Sequence, residues 1–310
     1  MPINHTQQNK AAALLSIASN TVLVIAKLAI GSFSGSVSIL SEAVHSGIDL
    51  VAAVIAWLSI REAAKPADNQ HPYGHGKIEN ASGTIEALLI FAAAIYIIWS
   101  AMRKLSSGTM EIEGLGLGVF VMGASAGVNY LVSRHLLQVA TKTDSIALRA
   151  DAMHLRTDVY TSLGVLAGLA TIKITGITLL DPLVAIGVAI LIIKAAYQLT
   201  MKAFSPILDV KLPDDEEFII RAVLAEHSEK FLEYHKLRTR KAGHVRHIDL
   251  HLVVPKSMRV DMAHTLSHTI TAEFSNRLES CNTLVHIEPC QRGCDGCMVK
   301  CSDIRPNIYD

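Results

Sequence analysis

His45 and Asp49, and again His154 and Asp158, repeat one pattern: an imidazole, three residues, then a carboxylate, set inside a long apolar run. A spacing of four puts both side chains on one helix face, a turn apart. An aspartate at the centre of a bilayer costs roughly 2.5–3.5 kcal/mol on insertion scales, so a chain rarely carries one without a use. Neutral imidazole and carboxylate are good ligands for a borderline divalent ion such as Zn2+, and two such pairs supply the usual four. These residues imply a metal ion held midway across a membrane.

Other polar residues in the apolar runs carry less. Asn20 reads as inter-helix glue, and Lys27 as a lysine that snorkels to the far interface. Glu86, on the face of Glu79, divides evenly between a salt-bridged structural role and a proton or cation path. Between the second and third runs, Asp68-Asn69-Gln70-His71-Pro72-Tyr73-Gly74-His75-Gly76-Lys77 holds two histidines four apart, with an acid three residues earlier. That set can bind a metal, although spacing alone favours solvated histidines on a surface loop.

The elements that must position these residues follow from hydropathy. The 310 residues are 50% hydrophobic, with a mean hydropathy of +0.35, and the apolar part is concentrated in the first two-thirds. Six runs, roughly 11–33, 37–60, 79–102, 114–138, 146–172 and 180–203, reach the length of about 20 residues that a spanning helix needs. Short connections predict an antiparallel six-helix bundle over 1–208. Gly114, Gly116, Gly118, Gly123 and Gly127 predict close backbone approach in the fourth helix. Arg61, Lys65, Lys77, Arg134, Lys142 and Arg149 fall on one side, which places both termini in the cytoplasm, against the dissent of Arg103 and Lys104. Met1 to Lys10 is polar and does not read as a signal peptide.

After Ser205-Pro206 the pattern changes. Pro213 followed by Asp214, Asp215, Glu216 and Glu217 signals a helix start. The spacing predicts a helix near 213–228, strands 231–240 and 244–254, a helix 259–279 and a strand 282–288. His247, Asp249 and His251 alternate with Ile248, Leu250 and Leu252, which gives the second strand one polar and one apolar face. Residues 209–290 therefore read as a small αββαβ domain of ferredoxin-like, metallochaperone-like type, with 291–310 as a cysteine-containing tail.

The run Ser38-Ile-Leu-Ser41-Glu-Ala-Val-His45-Ser46-Gly-Ile-Asp49, the loop His71-Pro-Tyr-Gly-His75-Gly-Lys77 and Asp151-Ala-Met-His154-Leu-Arg-Thr-Asp158 resemble the cation diffusion facilitator family. The similarity runs from about residue 10 to Cys290. It implies a homodimeric integral membrane exporter that exchanges cytosolic divalent metal for protons, in an inner or plasma membrane. It also implies that His45, Asp49, His154 and Asp158 form a tetrahedral transport site of the zinc-associated kind, and that Asp68, His71 and His75 form a loop site. Lys77 and Asp209 match an ion pair near the dimer interface. His235, His251, His264 and His286 match positions lining a dinuclear site, with Glu288 where relatives often have Asp.

Further histidines at 244, 247 and 268 read equally well as ligands or as solvated surface residues, and His264 shares a helix face with His268. Cys290, Cys294, Cys297 and Cys301, with Cys281, are the chain's 5 cysteines. Their spacing fits neither separated zinc knuckles nor a ferredoxin-type run, so a soft-metal tail stands beside redox-labile thiols. A net charge of zero gives no argument for nucleic acid. No phosphate-binding Gly-rich loop or His-Glu-x2-His motif is present, and four protein ligands leave a metal no open position. The sequence therefore predicts a gradient-driven transporter rather than an enzyme, with no organic cofactor. It carries Zn2+ or a similar Cd2+, Co2+ or Fe2+ ion; the alternative is a membrane-bound metal sensor with little flux.

Overall fold

Long apolar stretches with few helix breakers become helices wherever side chains pack, and six do so in the first part of the chain. The computed structural model describes residues 5–34, 37–107, 117–175 and 180–291. The helices are α1 His5–Ser34, α2 Val37–Ala63, α3 Lys77–Ser107, α4 Leu117–Thr143, α5 Ile146–Thr175 and α6 Leu180–Phe204. The chain divides into two compact units, Met1–Ser205 and Pro206–Asp310.

In the first unit α3 packs chiefly on α6, α1 on α2, and α4 on α5, while α5 also touches α2, α3 and α6. Small residues line these contacts. Ala12, Ala13, Ala140, Ala147 and Ala152 sit with Leu136, Leu148 and Leu155 in one core. Ala87, Ala94, Ala150 and Ala196 sit with Ile90 and Ile192 in another. Among the described residues, four helices are apolar enough to cross a membrane alone, namely His5–Phe33, Ala43–Ala63, Lys77–Arg103 and Pro182–Leu208. All six helices are 25 residues or longer, the length a spanning helix needs. The first half of α5 carries Arg149, Asp151, His154, Arg156 and Asp158, and its neighbours shield it: Ala150, Asp151, Ala152, His154 and Leu155 are all buried.

Close approach differs from expectation. A side chain added at Gly123 or Gly127 would meet nothing within 4 Å; Gly114 and Gly116 lie outside the described residues. Tight contacts fall instead at Gly83 of α3, where an added Cβ would lie 2.8 Å from Ile146 Cγ2, and at Gly164 of α5, where one would lie 2.9 Å from Val188 Cγ2.

The second unit runs α7 Asp214–Glu226, β1 Glu233–Ala242, β2 Val245–Val254, α8 Val260–Arg277 and β3 Cys281–Pro289. Four acids in the first turn of α7 complement its dipole, and Gly243, at φ 60°, turns β1 into β2. The sheet order is β1-β2-β3, with β2 antiparallel to β1 and parallel to β3. Ile248, Leu250 and Leu252 of the central strand enter a core with Ile220, Leu224, Leu266, Ile270 and Phe274. This is the αββαβ fold that the alternation predicts. Arg246 grips Glu216 through two nitrogens, at 2.8 and 2.5 Å, and both side chains are mostly buried. Breaking a buried pair on one side strands a charge, so Glu216→Ala should cost this unit about 3 kcal/mol, measurable by chemical denaturation.

Candidate metal centres

α2 and α5 present their His-Asp pairs to each other crosswise. His154 Nε2 lies 3.0 Å from Asp49 Oδ1, and His45 Nε2 lies 3.7 Å from Asp158 Oδ1. Ligand atoms of His45, Asp49 and Asp158 all fall within 4.8 Å of one another, and His154 reaches the same carboxylate of Asp49. Asp49 and His154 are buried, whereas His45 is exposed. Four donors from two helices, two nitrogen and two oxygen, make a set that suits a borderline divalent ion.

Around this set the structure changes three sequence readings. Lys27 does not snorkel: it is 5% exposed, and its Nζ donates to Ser46 Oγ at 2.8 Å, because α1 packs along α2 and offers a buried acceptor. Asn20 Nδ2 finds no hydrogen-bond partner among the described residues, which weakens its reading as glue. Glu86 is 1% exposed, and neither of its oxygens has a hydrogen-bond partner among the described residues, so the salt-bridged reading gains no support.

In the α2–α3 loop Asp68 organises its own segment. Its Oδ1 accepts the backbone N–H groups of Gln70 at 2.9 Å and His71 at 2.7 Å, an Asx turn. Those bonds, the one from His71 first, hold its carboxyl below the usual range. The anion faces His71 Nδ1 and His75 Nε2, each at 3.3 Å, and the three side chains form a group able to hold an ion. Lys77, the first residue of α3, belongs to this unit, whereas Asp209 belongs to the second and faces Arg240 Nη1 at 3.4 Å.

The sheet builds the third group. His235 on β1 is opposite His251 on β2, and His251 is opposite His286 on β3, so three imidazoles form one row across the strands. Ring centroids are 5.3 and 4.7 Å apart. Glu288, two residues beyond His286, lies on the same face. Its carboxylate stands 2.6 Å from His251 Nδ1, 3.3 Å from His235 Nε2 and 3.7 Å from His286 Nε2. The hydrogen bond from His251 is the main reason its carboxyl lies below the usual range. His235, His251 and Glu288 form the convergent group. His264 is not in it; it lies on α8 beside His268, with ring centroids 6.0 Å apart. Cys290 is buried with Leu232 and Val253, while Cys294, Cys297 and Cys301 lie outside the described residues.

Two family profiles match the chain: the cation efflux transmembrane domain over residues 13–208 and the cation efflux protein cytoplasmic domain over 212–290. The chain belongs to the cation efflux family. It is 34% identical to an uncharacterized transporter of Synechocystis sp. over 277 residues, 89% of each chain. It is 31% identical to the cation-efflux pump FieF of Yersinia pestis over 282 residues, 91% of this chain and 93% of that one. A solved zinc-form structure of the transporter CzrB aligns with 26% of this chain and 92% of its own at 34% identity, with a TM-score of 0.25.

Membership makes this an integral membrane protein that moves cations rather than an enzyme. One arrangement in this cation-efflux protein was hidden from sequence reasoning. A β-bulge lies between His235 and Arg238, with Lys236 at φ 51°. The inserted residue shifts the alternation by one, so His235 shares the outer face with Arg238 while Tyr234 and Leu237 pack on the core. Strict alternation would have turned His235 inward.

Proposed function

We propose that the chain exports a divalent metal of the zinc class in exchange for protons, as a homodimer with both termini in the cytoplasm of the cell whose inner or plasma membrane holds it. The observation that carries this reading is the crosswise approach of His45 to Asp158 and His154 to Asp49. Imidazole in the donor set favours Zn2+, Cd2+ or Co2+ over Mn2+. The relatives named cation-efflux pumps agree with the direction of transport.

The same contacts suggest how protons enter. A His154 Nε2 bonded to the Asp49 carboxylate carries a hydrogen, and a metal on that nitrogen must displace it. Metal held at Nε2 leaves the remaining ring hydrogen on Nδ1, so His154 gives up a proton to the exchange where its imidazole is doubly protonated before the metal binds. Protons returning from the far side would then eject the metal. The positive residues flanking α2, α3, α4 and α5 support the orientation, and the matched cytoplasmic-domain profile supports placing the metal-binding sheet on the loading side.

Purified protein in vesicles, offered Zn2+, Cd2+, Co2+, Fe2+ and Mn2+ with and without an imposed pH gradient, tests the proposal. Zinc and cadmium flux should rise with the gradient and collapse when an ionophore removes it. Zinc flux indifferent to the gradient would refute the exchange, and equal flux of Mn2+ would refute the zinc-class site.

A further inference from the structure

α5 carries His154 and Asp158, and its first turn is held by a residue from another helix. Ser145 caps α5 from within: its Oγ accepts the Leu148 N–H at 3.3 Å, and its carbonyl accepts the N–H of Arg149, as an N-cap serine does. The hydroxyl of that serine donates to Glu79 Oε1, and the same oxygen accepts the Ala147 N–H at 3.3 Å. Glu79 belongs to the first turn of α3 and is 5% exposed. A carboxylate at this place also faces the positive end of the α5 dipole.

Two neighbouring contacts make the junction stiff. One turn further along α3, Gly83 fits so closely beneath Ile146 that a Cβ there would lie 2.8 Å from its Cγ2. Between them Ser82 Oγ donates to Ser59 Oγ of α2 at 2.7 Å. The same turn of α3 is therefore tied to both helices that carry the His-Asp pairs. It is also the turn that leaves the loop group, since the Glu79 N–H bonds to the Gly76 carbonyl and the Ile78 N–H to that of His75.

We infer that Glu79 is a positioning residue for the transport site, fixing the N-terminus of α5 on α3 so that His154 and Asp158 meet the ligands of α2 in register. His154 follows Ser145 by nine residues, about 13 Å along a helix, and a helix carries a displacement at its end along its length. The inference rests on the crosswise quartet being the transport site.

In vesicles of full-length protein, Glu79→Ala should raise the zinc concentration for half-maximal flux about tenfold, the scale seen when a partner orienting a metal ligand is lost. Glu79→Gln keeps an acceptor oxygen and should recover most of that loss. Ser145→Ala should raise the half-maximal concentration in the wild-type background and add less in Glu79→Ala, where the Ser145–Glu79 bond is already gone and only the cap on Leu148 remains to be lost. Additive effects, or Glu79→Gln as impaired as Glu79→Ala, would overturn the clamp. If Glu79→Ala does not fold, Ser145→Ala carries the test against Glu79→Gln, and an unchanged half-maximal concentration in both refutes it. Asp49→Ala in the same preparations separates the two failures. Normal flux in Asp49→Ala removes the quartet reading, whereas a dead Asp49→Ala beside a wild-type Glu79→Ala removes only the clamp.

Discussion

Alanine at Asp49 or at Asp158 should reduce zinc flux by at least about a hundredfold, the upper end of what losing even an outer partner of a metal site costs. Each aspartate does two things in the structure. It belongs with His45 to the group whose ligand atoms lie within 4.8 Å of one another, and it faces the imidazole of the opposite pair, Asp49 at 3.0 Å from His154 and Asp158 at 3.7 Å from His45. Removing one leaves a divalent ion with three donors and too little negative charge. It also frees the facing imidazole to turn away. Asp49→Asn keeps size and an acceptor but loses the charge, so it should fail almost as badly as alanine if the metal needs the anion. The measurement is zinc uptake into vesicles, normalised to protein that runs as a single folded species by size exclusion. Half of wild-type flux in both alanine variants would remove these residues from the transport path.

The fold was legible where local chemistry repeats. Apolar runs of helical length, breakers at Pro206 and Pro213, and the alternation of Ile248, Leu250 and Leu252 with polar neighbours decide each element, and the αββαβ order follows. Pairing the two His-x3-Asp units on helix faces needed only the 3.6-residue period. Which histidine faces which aspartate did not follow, because the crosswise arrangement depends on how α2 and α5 pack. The bulge at Lys236 was invisible for a related reason: one inserted residue inverts the faces of a strand without disturbing its composition. Lys27 was misread because its fate depends on whether α1 meets lipid or α2. Glu79 entered the sequence reading only as the residue whose helix face Glu86 shares; its bond to the cap of α5 joins residues 66 apart in the chain.

Zinc should raise the melting temperature of the second unit, expressed as residues 206–291, by several degrees, and Glu288→Ala should abolish that rise. Ligand that binds only the folded state stabilises it in proportion to the logarithm of its saturation, so loss of the site appears as loss of the shift. Glu288 decides this because its carboxylate lies within 3.7 Å of all three imidazoles of the row and supplies the anion that a divalent ion needs there. Glu288→Asp, a methylene shorter, should keep part of the shift. Acid separates the carboxylate from the imidazoles. The hydrogen bond from His251 lowers the Glu288 carboxyl in the folded state, so its contribution is in place above the ordinary carboxylate value of about 4.3 and is lost as pH falls through the lowered one. Metal, in contrast, competes with protons for the imidazole nitrogens. The zinc-dependent shift should therefore vanish at a higher pH than the metal-free unit loses stability. A zinc shift in Glu288→Ala equal to wild type, or one that survives until the metal-free protein itself unfolds in acid, would show that the histidine row does not hold the ion.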